Sequence, residues 1–172
     1  MLRSAIDYEG VGMPLYEWSQ LNRQQVGRYA EYLFKMQFVM LGFDVYGAEV
    51  DDRGIDFVLR QDNPTKYWDV QVKSVRRGGY VFIPKSKFRM TSNYLVALAI
   101  FQNGSQPDLF LIPATRWRTP DGTFVDRNYE GLKSAPEYGL NLSTKAGQAL
   151  QAFRFDNGLE SIFGTHVADL NN

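Results

Sequence analysis

Gly54-Ile55-Asp56-Phe57-Val58-Leu59 and Trp68-Asp69-Val70-Gln71-Val72-Lys73 are two strand-like runs joined by a short polar connection, and their reading decides the fold. Successive side chains of a strand point to opposite faces, so Gln71 and Lys73 share a face, about 7 Å apart along the chain, while Val70 and Val72 share the other. The same alternation puts Ile55, Phe57 and Leu59 on one face of the first run and Asp56 and Val58 on the other. Asp62-Asn63-Pro64 supplies turn chemistry between the runs. Paired strands can bring a carboxylate, an amide oxygen and an ammonium to one point, a set suited to metal-dependent phosphodiester hydrolysis.

Upstream, Ser19 to Leu41 reads as a helix: polar starters at Ser19 and Asn22, no proline, and Gly42 as the cap. At about 100° per residue, Ala30, Phe34, Gln37 and Leu41 fall on one stripe. Glu31 lies at its edge, where its carboxylate can lean toward whatever the helix packs on. Phe43 to Val50 reads as a strand, followed by the turn-like Asp51-Asp52-Arg53-Gly54. Ile55 to Arg60 and Tyr67 to Val75 are the two strands already described. Downstream come a basic turn over Arg76 to Gly79, a short strand from Tyr80 to Ile83, and a helical turn within Pro84 to Met90. Tyr94 to Phe101 is a near-continuous apolar run, typical of a strand buried on both faces, and Asp108 to Pro113 repeats that character. After Ala114 the pattern is irregular until a helix over Thr144 to Phe153. The order predicts an α/β fold, a sheet of four or five strands with helices on its faces. No repeat or linker marks a second domain, so 1–172 reads as one domain with a core over about 19–113 and a C-terminal extension over about 114–172.

Composition narrows the chemistry by exclusion. The 172 residues include no cysteine, which removes disulfides, zinc–thiolate sites and thiol catalysis, and a single histidine, His166, so histidine-based chemistry has little to build on. Met1 to Leu15 lacks the apolar core of a signal peptide, and Tyr94 to Phe101 is too short to span a bilayer as a helix; a soluble cytoplasmic protein with no membrane partner is expected. Net charge is zero, yet its distribution is uneven. Lys73, Arg76, Arg77, Lys85, Lys87 and Arg89 follow one another with no acid between them, directly after an acid-rich segment from Asp44 to Asp69. Of these, Arg76, Arg77, Lys85 and Lys87 are candidates for phosphate contacts; a solvated basic loop is the alternative. Trp18, Trp68 and Trp117 read as core or rim aromatics. No phosphate loop of the GxxxxGK[ST] type, GxGxxG turn or GxSxG elbow occurs.

Glu31 on a leading helix, Gly54-Ile55-Asp56 on one strand and Gln71-Val72-Lys73 on the next together resemble the PD-(D/E)xK nuclease superfamily, in the branch where glutamine replaces the second acid, as in Mrr-type restriction endonucleases. The resemblance covers roughly Asn22 to Lys73. In length, and in Phe82-Ile83-Pro84-Lys85-Ser86-Lys87-Phe88, the chain is also similar to small stand-alone bacterial proteins of that superfamily with no assigned role. The resemblance implies a restriction-endonuclease-like core, a mixed sheet flanked by helices, and a magnesium-dependent nuclease acting on DNA, with manganese as a substitute.

In that reading Asp56 is the principal metal ligand, Glu31 a second carboxylate, and the Gln71 side-chain oxygen and Val72 carbonyl neutral ligands. This suits magnesium's preference for a few hard oxygens and retained waters. Lys73 orients or deprotonates the attacking water and offsets charge on the phosphate. Each residue also has a plainer reading. Gln71 and Lys73 can be the solvent face of an edge strand, Asp56 a strand-end acid bonded to backbone, and Glu31 an exposed helix residue. Asp69 shares the Gln71 face and is either a further site acid or a solvated one. The competing functions are a nuclease-fold module that binds nucleic acid or a protein partner without catalysis, and an interaction protein using Arg116 to Asn172. A homodimer or partner protein would have to supply target specificity, since no recognition domain is visible.

Overall fold

The computed structural model describes residues 16–48, 53–62, 64–143 and 147–164. The first long helix, α1, is Arg23–Met40, and its start is set by Asn22. The Asn22 side chain accepts from the Gln25 N–H (2.9 Å) while the Gln25 side chain accepts from the Asn22 N–H (2.8 Å), a reciprocal box that satisfies two otherwise orphaned donors. Ser19 therefore does not start the helix; it belongs to a separate 3-10 turn, Trp18–Gln20. The helix ends at Gly42, whose φ of +81° only glycine adopts readily. Its buried stripe is Val26, Ala30, Phe34 and Phe38, at intervals of four, so Phe38 takes the place expected of Gln37.

Among the described residues eight strands follow in two sheets. They are β1 (Asp44–Gly47), β2 (Phe57–Gln61), β3 (Lys66–Arg76), β4 (Tyr80–Pro84), β5 (Tyr94–Phe101), β6 (Asp108–Pro113), β7 (Phe124–Arg127) and β8 (Glu137–Asn141). The main sheet runs β1-β2-β3-β5-β6, with β3 and β5 parallel and the remaining pairs antiparallel. The chain is thus α/β with a mixed five-stranded sheet, as the pattern predicts. β3 and β5 are interior in the strand order, and Gln71 is buried and Lys73 half-buried, which overturns their reading as a solvent face. All residues of β5 but Ile100 are buried, matching its apolar run.

The region after Ala114 differs from its irregular reading. Ala114–Arg118 forms a 3-10 turn, and β7 and β8 join β4 in a second, three-stranded sheet ordered β4-β8-β7. These strands are four or five residues long, and β8 carries Gly139 at its centre, so periodicity alone could not register them. The expected helix over Thr144 to Phe153 is shorter, α2 (Gly147–Gln151), with residues 144–146 outside the described residues, and a further helix, α3 (Phe155–Phe163), follows. Asp51 and Asp52 of the expected turn, Glu49 and Val50 at the end of the expected first strand, and His166 also lie outside them. Among the described residues no helix is long and apolar enough to cross a membrane.

Two apolar cores sandwich the main sheet. On one face, Phe57, Leu59, Trp68, Val70, Leu95 and Ala97 pack with Phe34 and Phe38 of α1 and with Phe155 and Leu159 of α3. On the other, Val96, Leu98, Phe110 and Ile112 pack with Val81 and Ile83 of β4, Leu140 of β8 and Phe124 of β7. Val72 belongs to the first side and Val75 to the second, confirming the alternation along β3. The alternation expected through Ile55 fails: Phe57 and Leu59 face α1, but Ile55 packs on the opposite core, because the chain bends as it enters β2. The three tryptophans, Trp18, Trp68 and Trp117, are all buried core residues.

Candidate active site

The eleven residues of β3 outrun their partner on one side. β3 pairs with β2 over Lys66–Val70 and with β5 over Asp69–Arg76, so beyond Val70 β2 no longer covers it. Asp56 sits at this parting. Its N–H donates to the Val70 carbonyl (2.9 Å), and its carboxylate Oδ2 accepts the Val72 N–H (2.5 Å), taking the place of a strand carbonyl. Asp56 and the Gln71-Val72-Lys73 triplet are therefore brought together, with the carboxylate held at the triplet's backbone.

Gln71 is 4 % exposed, and its Oε1 has no hydrogen-bond partner. A buried amide oxygen without a partner costs about 1–3 kcal/mol. Its surroundings are built tightly. Gly54 crosses beneath it at φ +70°, and a Cβ there would lie 2.8 Å from Gln71 Nε2 and 2.6 Å from the Lys87 carbonyl oxygen. The buried Tyr94 hydroxyl fastens this crossing, donating to the carbonyl of Gly54 (2.6 Å) and shared with that of Lys87 (3.0 Å). Tyr94 and the crossing role of Gly54 were not singled out by sequence. The signal available was a tyrosine opening an apolar run, at Tyr94, and a glycine closing the turn-like Asp51-Asp52-Arg53-Gly54.

Lys73, Ser74, Val75 and Arg76 form one wall of a cleft of about 380 Å³, closed by Arg23 and Val26 of α1 and by Tyr80 to Phe82 of β4. Its lining holds three cations, Arg23, Lys73 and Arg76, and no acid. Burial and a 2.8 Å hydrogen bond to Glu137 push the Tyr80 hydroxyl well above the ordinary tyrosine pKa, so it remains a donor at neutral pH.

Glu31 makes its own contacts on the surface of α1. It is ion-paired with Arg28 one turn away (2.8 Å) and lines a separate groove with Gln24, Gln25 and Gly27. Among the described residues no three His, Cys, Asp or Glu side chains group closely enough to hold a metal ion. Asp69 faces Arg89 at 3.6 Å. The fold holds the Asp56 carboxylate at the backbone of Val72, the residue after Gln71, whose side-chain oxygen is unsatisfied. Hard, neutral and singly charged oxygens of this kind fit a magnesium ion that keeps several waters.

The basic candidates divide. Arg76 donates from Nη1 to the carbonyls of Trp18 (3.1 Å), Ser19 (3.4 Å) and Leu21 (3.0 Å), closing the turn ahead of α1. Lys85 is tied to Asp126 and Asn128 and sits 4.7 Å from the Tyr138 ring centroid, which joins β4 to the β7 end. Arg77, exposed and at φ +66°, turns the chain after β3, its N–H donating to the Phe101 carbonyl (3.0 Å). The Lys87 carbonyl is engaged by Tyr94, as described.

No protein-family model matches the sequence, and neither does any curated protein. Among solved structures the chain is similar to the Holliday junction resolvase Hjc of the archaeal hyperthermophile Archaeoglobus fulgidus, at 9 % identity and a TM-score of 0.40, over 82 % of this chain and 99 % of that one. A likeness at that level implies no shared chemistry.

Proposed function

We propose that this chain is a metal-dependent nuclease of the PD-(D/E)xK type, hydrolysing phosphodiester bonds in DNA, with residues 1–172 as one domain in the cytoplasm. The observation that carries this reading is the buried, unsatisfied Gln71 oxygen on the stretch of β3 whose Val72 amide Asp56 holds and whose next polar residue, Lys73, lines a cationic cleft. Asp56 and Gln71 would hold magnesium, or manganese in its place, with the Val72 carbonyl and Glu31 as further oxygens. A bound divalent cation supplies acidification of water and stabilisation of charge on the phosphate. Lys73 would orient the water and offset the negative charge that develops on the pentacoordinate phosphate from the cleft side. Arg23 positions the backbone by neutralising neighbouring phosphates, and Arg77 and Lys87 extend that contact. Asp56 further fixes the Val72 amide, so it positions the triplet as well as binding the ion.

The test is plasmid and oligonucleotide cleavage by purified protein with magnesium. Asp56→Ala and Lys73→Ala are each expected to lower the rate by at least about a hundredfold, with circular dichroism unchanged. Cleavage at the wild-type rate by Lys73→Ala overturns the mechanism.

A second reading has its own support. Among the described residues no three His, Cys, Asp or Glu side chains group to hold a metal ion, and glutamine stands where the motif has a second acid, which favours a nuclease-fold module that binds nucleic acid or a protein without cutting. Calorimetry separates the two: magnesium or manganese binding that is lost in Asp56→Ala supports the enzyme, and no such binding supports the module.

A further inference from the structure

The three-stranded sheet turns Val81 and Ile83 inward, leaving Tyr80 and Phe82 on its outer face. Phe82 is 59 % exposed, and its cross-strand neighbour on β8 is Gly139, which offers it no side chain to pack on. A lone exposed phenylalanine is ordinary; this one lines the mouth of the cleft that contains Lys73. The ring beside it is fixed. Tyr80 lies across Gly139 so closely that a Cβ there would fall 1.9 Å from its hydroxyl oxygen. That hydroxyl donates to Glu137 Oε1 (2.8 Å), which also accepts from the Tyr129 hydroxyl (2.9 Å). The Arg127 guanidinium sits 4.6 Å from the Tyr80 ring centroid and 3.8 Å from the same carboxylate, offsetting its charge. The outer face is therefore a rigid arginine–tyrosine stack with an unpaired aromatic next to it, continuous with a cleft carrying Arg23, Lys73 and Arg76.

We propose that this face is a stacking platform for an unpaired base, with Phe82 as the stacking ring and the cleft taking the phosphates of the same strand. Positive charge that follows a backbone, next to an aromatic that accepts any base, is how proteins hold single-stranded nucleic acid. A fully paired duplex keeps its bases stacked inside and offers Phe82 no partner. The substrate class is thus a duplex bearing an unpaired segment, an overhang or a branch point. This rests on the cleft being a phosphodiester site, and the experiment keeps the two failures apart.

Binding is measured by fluorescence anisotropy in EDTA, so that no cleavage intervenes, on a blunt duplex and on the same duplex with a ten-nucleotide 3′ overhang. The overhang carries 5-iodouracil for photocrosslinking. Wild type is expected to bind the overhang substrate more tightly and to crosslink at Phe82. Phe82→Ala should lose about tenfold on the overhang substrate, from the scale of base–aromatic stacking, with blunt-duplex affinity unchanged; Phe82→Trp should restore it. Unchanged overhang affinity in Phe82→Ala, equal losses on both substrates, or no binding of either by wild type overturns the platform, the last pointing to a protein partner. A Phe82-specific effect in a protein that cuts nothing with magnesium leaves the platform standing and removes the nuclease; magnesium-dependent cutting without a Phe82 effect does the reverse.

Discussion

Gln71 combines two properties that stability alone would not select: it is almost fully buried, and its side-chain oxygen bonds to nothing. If the amide is kept for a cation, removing it should trade function for stability. Gln71→Leu retains the volume and removes the unsatisfied oxygen, so thermal unfolding is expected to rise by about 1–2 kcal/mol, roughly 3–6 °C for a chain of this size. Stabilisation by added magnesium should disappear in the same variant. A less stable Gln71→Leu protein that still gains stability from magnesium would contradict the assignment. Arg76 and Lys85 show the opposite relation between residue and role. Both belong to the basic cluster, yet their heads are occupied by the carbonyls before α1 and by Asp126 and Asn128. Charge alone in the sequence could not separate these from Arg77, because whether a cation has partners depends on residues some 40 to 60 positions away.

At the scale of elements, the site exists because β3 is longer than its antiparallel partner and Asp56 fills the gap where β2 bends away. The two strands were legible from the alternation, β3 to within a residue at each end, whereas the start of β2 at Phe57 and the bend before it were not, since Ile55 continues the alternating pattern by identity and leaves it only in space. β7 carries its own anchor at the start of the second sheet. Asp121 Oδ1 accepts the N–H groups of Thr123 (2.7 Å) and Phe124 (2.8 Å), and its carboxylate pairs with Arg116. Burial by itself would raise the Asp121 pKa; the two backbone donors and Arg116 together outweigh it and hold the group below its ordinary value. The folded chain thus gives up this proton more readily than the unfolded one. The Asp121 contribution is present above the ordinary carboxylate pKa of about 4 and is lost as pH falls through the lowered value. Urea midpoints between pH 3 and 6 should fall toward acid in wild type and fall less steeply in Asp121→Asn. Superimposable acid limbs in the two proteins would show that this cap carries no linkage.

The whole molecule is held by two cores on opposite faces of one sheet, and the second is completed by residues far along the chain, among them Trp117, Phe124 and Leu140. Because both cores share β5, damage to the distal one should unfold everything together. Leu140→Ala is expected to cost about 2–5 kcal/mol, with far-ultraviolet circular dichroism and tryptophan fluorescence losing signal at one shared urea midpoint. Separate midpoints for the two signals would mean that the regions before and after Ala114 unfold as independent units. By itself, the sequence determined the existence of α1 with Ala30 and Phe34 on its buried stripe, the six strands from β1 to β6 and the meeting of Asp56 with the Gln71 triplet. Those follow from local periodicity and from runs close enough in the chain to pair. Tertiary structure alone decided that the tail returns as β7 and β8 to extend β4 into a second sheet, and that Phe82 stands exposed on the lining of the cleft that holds Lys73. Short strands with a central glycine carry almost no periodic signal, and the energy that places them is packing against a core assembled from distant residues.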